Sequence, residues 1–259
     1  MGRIIAVTNQ KGGVGKTTTS INLAACLAEK GQKVLAVDMD PQGNLTCGLG
    51  VDKNSIQYSI YDAMSDNCNV GECMIIRPLD NNKLNLSLLP ANRELAGAEV
   101  ELINIEKPQY VLKNILSSVR DKFDFVVIDC PPALGMLTVN SLTAADTVLV
   151  PIQCEYFALD GLAQLIYTIN LIKKELNKTL EIEGVVFTMY DARTNLSLEV
   201  VENVKNNLDQ FIYKTIIPRN VRLAEAPSFG LPINLYDSKS PGAKGYRELA
   251  EEVINNKLF

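Results

Sequence analysis

"QKGGVGKTTT" (residues 10–19) is the stretch that decides the reading of this chain. It has the makings of a phosphate-binding loop but departs from G-x-x-x-x-G-K-[ST]. Gln10 stands where the first glycine belongs, and a second lysine, Lys11, lies five residues ahead of Lys16. Context supports the phosphate reading: the strand-like run "RIIAVTN" (3–9) leads in, and a helical segment over 16–30 leads out and stops at Gly31. Gly12, Gly13 and Gly15 let the backbone approach phosphates closely and turn several N–H groups toward them. The positive end of the following helix adds to this. Lys16 is placed to reach the β- and γ-phosphates, and the Thr17 hydroxyl to meet a magnesium ion.

The same alternation runs along the whole chain. "KVLAVDMD" (33–40), "LNLSLLPA" (84–91), "FDFVVIDCPP" (123–132), "TVLVPIQ" (147–153), "IEGVVFTMYD" (182–191) and "YKTIIPR" (213–219) read as further strands. Most are continuously apolar, as strands buried on both faces of a parallel sheet are. Helical stretches over 157–177, 196–210 and 242–257 lie between and after them. The pattern predicts an α/β fold, a doubly wound, mostly parallel sheet with helices on both faces, as one domain over 1–259. The segment 44–83, rich in Asn and Gly and including Asn81 and Asn82, reads as short helices and loops near the mouth of the site.

Composition narrows the chemistry. The 259 residues contain no histidine, which excludes Ser-His-Asp and Cys-His machinery and imidazole ligands. Phosphoryl transfer survives, because it works through lysines, carboxylates and magnesium. The six cysteines form no C-x-x-C pair, and they read as reduced structural thiols; Cys68 and Cys73 are close but have no second pair to complete a zinc site. No signal peptide and no membrane-length apolar run is visible.

A magnesium-dependent nucleotide hydrolase also needs a carboxylate at the end of a neighbouring strand. Asp129, after four apolar residues and before Pro131-Pro132, is the candidate metal ligand, directly or through water. Asp38 and Asp40 end the second strand on one side by alternation, so one could orient the attacking water and the other support it. The residues alone do not choose between them.

With these pieces in order the chain resembles the ParA/Soj family of DNA-partition ATPases, within the "deviant Walker A" P-loop group that includes MinD and the nitrogenase iron protein. The resemblance extends nearly end to end, through "KGGVGKTTT", "VDMDPQGN", "LPANRELAGAEVEL", "VVIDCPPALGMLTVNSLTAAD", "PIQCEYFALDGLAQL", "DARTNLSLEV" and "IPRNVRLAEAPSFGLPI". It implies a P-loop fold binding ATP and Mg2+ through Lys11 to Thr18, so that Val14 and Thr18 join the loop residues already named. It implies that Lys11 reaches across a nucleotide-sandwich homodimer to the partner's phosphates, and that Lys11, Lys16 and Asp40 are the catalytic set, Asp40 positioning the hydrolytic water. Pro218 and Asn220 would meet the adenine end, and Arg193 and Arg222 would bind DNA without sequence preference. A ParB-type centromere-binding partner would stimulate hydrolysis and release, in chromosome or plasmid partition at the bacterial nucleoid.

Charge tests the DNA reading only in part. The net charge is −5; residues 188–259 hold nine Lys/Arg and nine Asp/Glu, leaving 16 basic and 21 acidic residues in the first 187. The C-terminal third is neutral, not basic. A MinD-like membrane ATPase is the rival. Against it, "KGYRELAEEVINNKLF" places Glu248, Glu251 and Glu252 beside an apolar stripe, and an anionic leaflet would repel that helix. The cysteine spacing does not suit a cluster-bearing iron protein. With Thr17, Asp40 and Asp129 all present, nothing suggests a scaffold that binds without hydrolysing. A first strand starting near Arg3 leaves no room for an N-terminal helix-turn-helix.

Overall fold

The apolar runs become strands of one sheet: β1 (Arg3–Val7), β2 (Val34–Asp38), β3 (Ile75–Leu79), β4 (Leu84–Leu89), β5 (Phe125–Asp129), β6 (Thr147–Gln153), β7 (Glu181–Tyr190) and β8 (Ile212–Pro218). In this computed structural model, which describes residues 1–79, 84–155, 158–208 and 210–256, their order is β3-β4-β2-β5-β1-β6-β7-β8. Every pairing is parallel except β3 with β4. Asn81 and Asn82, residues 156–157 of the quoted "PIQCEYFALDGLAQL" and Lys257 of the expected last helix lie outside the described residues.

The helices are α1 (Lys16–Glu29), α2 (Asn44–Gly48), α3 (Ile60–Met64), α4 (Val70–Cys73), α5 (Leu95–Glu101), α6 (Val111–Ser117), α7 (Met136–Ala144), α8 (Ala158–Glu175), α9 (Asn195–Asn207), α10 (Val221–Glu225), α11 (Ile233–Tyr236) and α12 (Pro241–Asn255). Strand alternation divides the core between them. Ile4 and Ala6 of β1 join the layer that contains residues of α6 to α9, whereas Ile5 and Val7 join the layer of α1, α11 and α12. This is the doubly wound arrangement the sequence predicts, with β1 in the interior of the sheet. Because the strands are parallel, the ends of β1, β2, β5, β6, β7 and β8 open on one edge, where ligands of such sheets bind.

The segment 44–83 is more ordered than its composition suggests. Beside α2, α3 and α4 it contains β3, the antiparallel edge strand. A proline in a five-residue run hides a strand from pattern reading, but an edge strand tolerates it because one side of its ladder is unpaired. The capping box of Asn69 and Glu72 starts α4 and folds the chain back, bringing the Cys68 and Cys73 sulfurs side by side, while Cys26, Cys47, Cys130 and Cys154 stand apart.

At the amino ends of the parallel strands a buried ionic cluster ties β1 and β7 to the end of α12. Glu183 is fully buried and accepts hydrogen bonds from Tyr213 Oη at 2.9 Å and Asn256 Nδ2 at 3.1 Å, with the Arg3 guanidinium 3.6 Å away. Arg3 also donates to the carbonyls of Val253 and Asn256 and lies over the Phe125 ring. Removing one partner strands the others without water. Glu183→Ala is therefore expected to lower stability by about 3 kcal/mol in urea denaturation. Nucleotide affinity of the folded fraction should be unchanged, since Glu183 lies at the far end of β7 from the site.

Candidate nucleotide site

The loop after β1 is held from below before it turns. Asn9 Nδ2 donates to Pro151 O at 2.9 Å, and Asn9 Oδ1 accepts from Lys11 N–H at 3.0 Å. Gly13 and Gly15 then take left-handed backbone, at φ 75° and 86°, which other residues adopt at a cost. A Cβ added to Gly12 or Gly13 would meet nothing within 4 Å. Their bareness serves no packing within the protein; it leaves open backbone where a ligand can come close. Gly15 is the residue before α1 and supplies no side-chain cap, so the first N–H groups of that helix face the same space.

Lys16 is buried, and its Nζ donates to Lys11 O at 2.9 Å. Burial lowers its pKa against the attraction of Asp129 and Asp40. Thr17, Asp40 and Gln42 line a cavity of about 380 Å³ with Gly12, Gly13 and Lys16. Thr18, Gly15 and Met189 line both this cavity and a second, of about 350 Å³, that takes in Pro218 and Asn220. Two adjoining spaces, one beside a phosphate loop and one more apolar, are what a nucleotide's two ends require. Val14 faces away: its side chain is buried, and only its main chain belongs to the loop.

The three carboxylates differ sharply. Asp129 is fully buried, pairs with Val7 across β5–β1 and with Asp38 across β5–β2, and accepts from Ser20 Oγ at 2.8 Å. Its Oδ2 has no hydrogen-bond partner. Burial first, and then the charge of Asp38, raise its pKa, against the nearby hydroxyls of Thr17 and Ser20. An orphaned, buried carboxylate oxygen beside a threonine hydroxyl at a phosphate loop fits a hard divalent cation. Asp38 is equally buried but engaged, accepting from Thr46 N–H at 2.8 Å, Thr46 Oγ1 at 2.7 Å and Asp40 N–H at 3.2 Å. It organises the turn that follows it and lines neither cavity. Asp40, beyond the strand end, lines the phosphate cavity while accepting from Gln42 N–H at 2.9 Å. The structure separates the two aspartates that alternation left equivalent.

The other predicted residues lie outside the cavities. Lys11 is ion-paired with Glu155 and does not line the cavity beside the loop. Arg193 makes a two-pronged pair with Asp191 at 2.9 and 2.7 Å, which holds that carboxyl far below its usual range. Arg222 pairs with Glu225 at 2.9 Å and lies 3.6 Å from Asp237. Its N–H is accepted by Asn220 Oδ1 at 2.8 Å, so a residue of the second cavity caps the helix that presents this arginine.

Sequence reasoning missed Thr188, Met189 and Tyr246 as site residues. Met189 is left-handed at φ 51°, and Tyr246, hydrogen-bonded to Thr19 at 3.1 Å, floors the second cavity. The end of β7 falls on the ligand-bearing edge of the sheet, which was the available signal.

Comparison with known proteins now bears on this geometry. A family model described as an AAA domain matches residues 2–182. The sporulation initiation inhibitor protein Soj of Bacillus subtilis is 53% identical over 256 residues, covering 99% of this chain and 100% of that protein. The chain belongs to the Soj/ParA family of chromosome-partitioning ATPases. The ParA of Myxococcus xanthus is 48% identical over 98% of this chain and 88% of its own length. Among solved structures, a cobyrinic acid a,c-diamide synthase from Mycobacterium smegmatis, determined with ADP and magnesium and with an ATP analogue and magnesium, superposes with TM-score 0.86 at 38% identity, covering 98% of this chain and 95% of that one. The partition relatives are the more identical and decide the family.

In this Soj/ParA-type site two buried carboxylates face each other, and the arrangement has a thermodynamic sign. A raised carboxyl pKa means the folded state binds more protons than the unfolded one above the ordinary value of 3.8. The pair's contribution to the stability of the nucleotide-free protein should therefore fall as pH rises from about 4 to about 8 and level off above that. Asp129→Asn is expected to flatten that slope in thermal melts with EDTA, while cutting magnesium-dependent ATP hydrolysis on the order of 100-fold. A variant that keeps full hydrolysis would move the metal role elsewhere.

Proposed function

We propose that this chain is a partition switch: an ATPase of the Soj/ParA family that dimerises on ATP, binds DNA without sequence preference, and is reset when a ParB-type partner stimulates hydrolysis. Partition ATPase function and ATP hydrolysis follow from the family. The dimer, the DNA and the partner are our reading. The observation that carries it is Lys11, a loop lysine that leaves its own cavity and is held at the surface by Glu155.

The chain's residues divide the work. The loop glycines and Lys16 bind the phosphates, Pro218 and Asn220 the base, and Asp40 holds the attacking water. Thr17 and Asp129 would hold the magnesium ion, which supplies charge neutralisation across the phosphate oxygens and their alignment. Lys11 exchanges Glu155 for the phosphates of a second subunit, where two facing nucleotides would otherwise repel. Two subunits then present Arg193 and Arg222 together, multiplying phosphate contacts with DNA. We place the protein at the nucleoid of a bacterial cytoplasm.

The MinD-like alternative is disfavoured by packing. Tyr246, Leu249, Ala250 and Val253 of α12 are buried in the layer shared with α1, so the apolar stripe a lipid surface would need is already covered. No helix among the described residues is long and apolar enough to cross a membrane.

Lys11→Ala should abolish ATP-dependent dimers in sedimentation while sparing ATP binding; persistent dimers would remove the cross-subunit role. Asp40→Ala should trap the ATP dimer and retain it on random-sequence DNA with ATP but not ADP, and retention on anionic liposomes instead would favour the MinD-like reading. Glu225→Gln frees Arg222 from its close partner, so it should tighten DNA retention by roughly the two- to fivefold of a surface ion pair, with a steeper salt dependence.

A further inference from the structure

The phosphate loop has an anchor that none of its own residues supplies. Thr188, near the end of β7, is buried, and its Oγ1 lies 2.8 Å from Val14 O and 3.1 Å from Ile152 O. One hydroxyl proton is shared between the loop and the end of β6. The threonine methyl lies beneath Gly15, where an added Cβ would meet Thr188 Cβ and Cγ2 at 3.7 Å.

The consequence follows from peptide geometry. Val14 C=O and Gly15 N–H belong to one planar unit, and no peptide bond of the described residues is cis. In a trans unit these two groups point to opposite sides. Fixing the carbonyl downward on Thr188 therefore turns Gly15 N–H upward, toward the space Gly15 lines in both cavities. Something must fix it. Glycines at 13 and 15, both left-handed, flank Val14 and leave this unit freer to rotate than an ordinary loop peptide.

We propose that Thr188 is a positioning residue of the ATP reaction: its hydroxyl holds the Val14–Gly15 peptide in the orientation that presents Gly15 N–H to the nucleotide's phosphates. The assignment rests on nucleotide binding at this loop and not on the DNA or partner reading. Hydrolysis needs the phosphates bound before and during reaction, so losing this donor weakens both states alike and appears in KM, leaving kcat nearly unchanged.

The test compares wild type, Thr188→Val, which keeps the shape and methyl packing without the hydroxyl, and Thr188→Ser, which restores the hydroxyl. ATP affinity is read with a fluorescent ATP analogue, KM and kcat from steady-state hydrolysis, and folding from melting without nucleotide. Thr188→Val is expected to weaken ATP binding and raise KM roughly tenfold, as loss of one hydrogen bond to a charged group does, with kcat within about twofold. Thr188→Ser should recover most of the loss. Unchanged ATP affinity in Thr188→Val overturns the proposal. So does a Thr188→Ser protein as weak as Thr188→Val, or a fall in melting temperature and kcat with KM unmoved, the signature of a prop for the strand alone. Should Thr188→Val fail to fold, Thr188→Ala with the same expected KM effect decides. Wild type that binds no ATP removes the nucleotide reading itself, which is visible before any variant is compared.

Discussion

A helix that begins at a glycine, with no side chain to satisfy its first N–H groups, has to find partners outside the chain. In this protein that helix is α1, and the surrounding structure keeps it from finding them anywhere else. From Thr19 to Ala28 every residue of α1 is buried, between the sheet on one side and α11 and α12 on the other. A helix packed on all sides cannot slide or tilt toward a substitute partner. Its bare end is consequently a fixed site of positive potential rather than a frayed terminus.

Electrostatics push the same way. Asp38 and Asp129 face each other across β2 and β5 in full burial, and such a pair raises the energy of the folded, ligand-free state. Thr46 satisfies Asp38 with two hydrogen bonds, whereas Asp129 keeps an oxygen without a partner. The unmet demand of the site is thus concentrated on one oxygen, next to the loop whose N–H groups call for anions. A divalent cation held at that oxygen would supply the missing partner and leave positive charge beside the loop for an anion.

Much of this was legible in the sequence, for a specific reason. The loop, Asp129 and the strand–helix alternation are encoded by neighbours in the chain: a glycine run between a strand and a helix, or a carboxylate ending an apolar run. Features set by distant partners were not. The strand β3 exists because β4 offers it a ladder, despite its proline. Asp38 and Asp40 parted roles because Thr46, eight residues beyond Asp38, claims the former. Thr188 looks like any strand threonine until the fold brings Val14, 174 positions away in sequence, against its hydroxyl.

The surface cations share one arrangement, which bears on the proposed binding of DNA. Lys11, Arg193 and Arg222 are each lodged on a carboxylate, Glu155, Asp191 and Glu225 respectively. Exposed pairs of this kind contribute little to stability, so they are easily exchanged for a stronger anion. They also lower the positive field that the free subunit offers to phosphate. For Arg222 the lodging is joined to the second cavity, because Asn220 caps the short helix holding both Arg222 and Glu225. A nucleotide base that draws on the Asn220 side chain competes for the group that orients this helix. The weakness of the pairs and their attachment to the cavity wall together allow a small local change to alter which anion the arginine prefers.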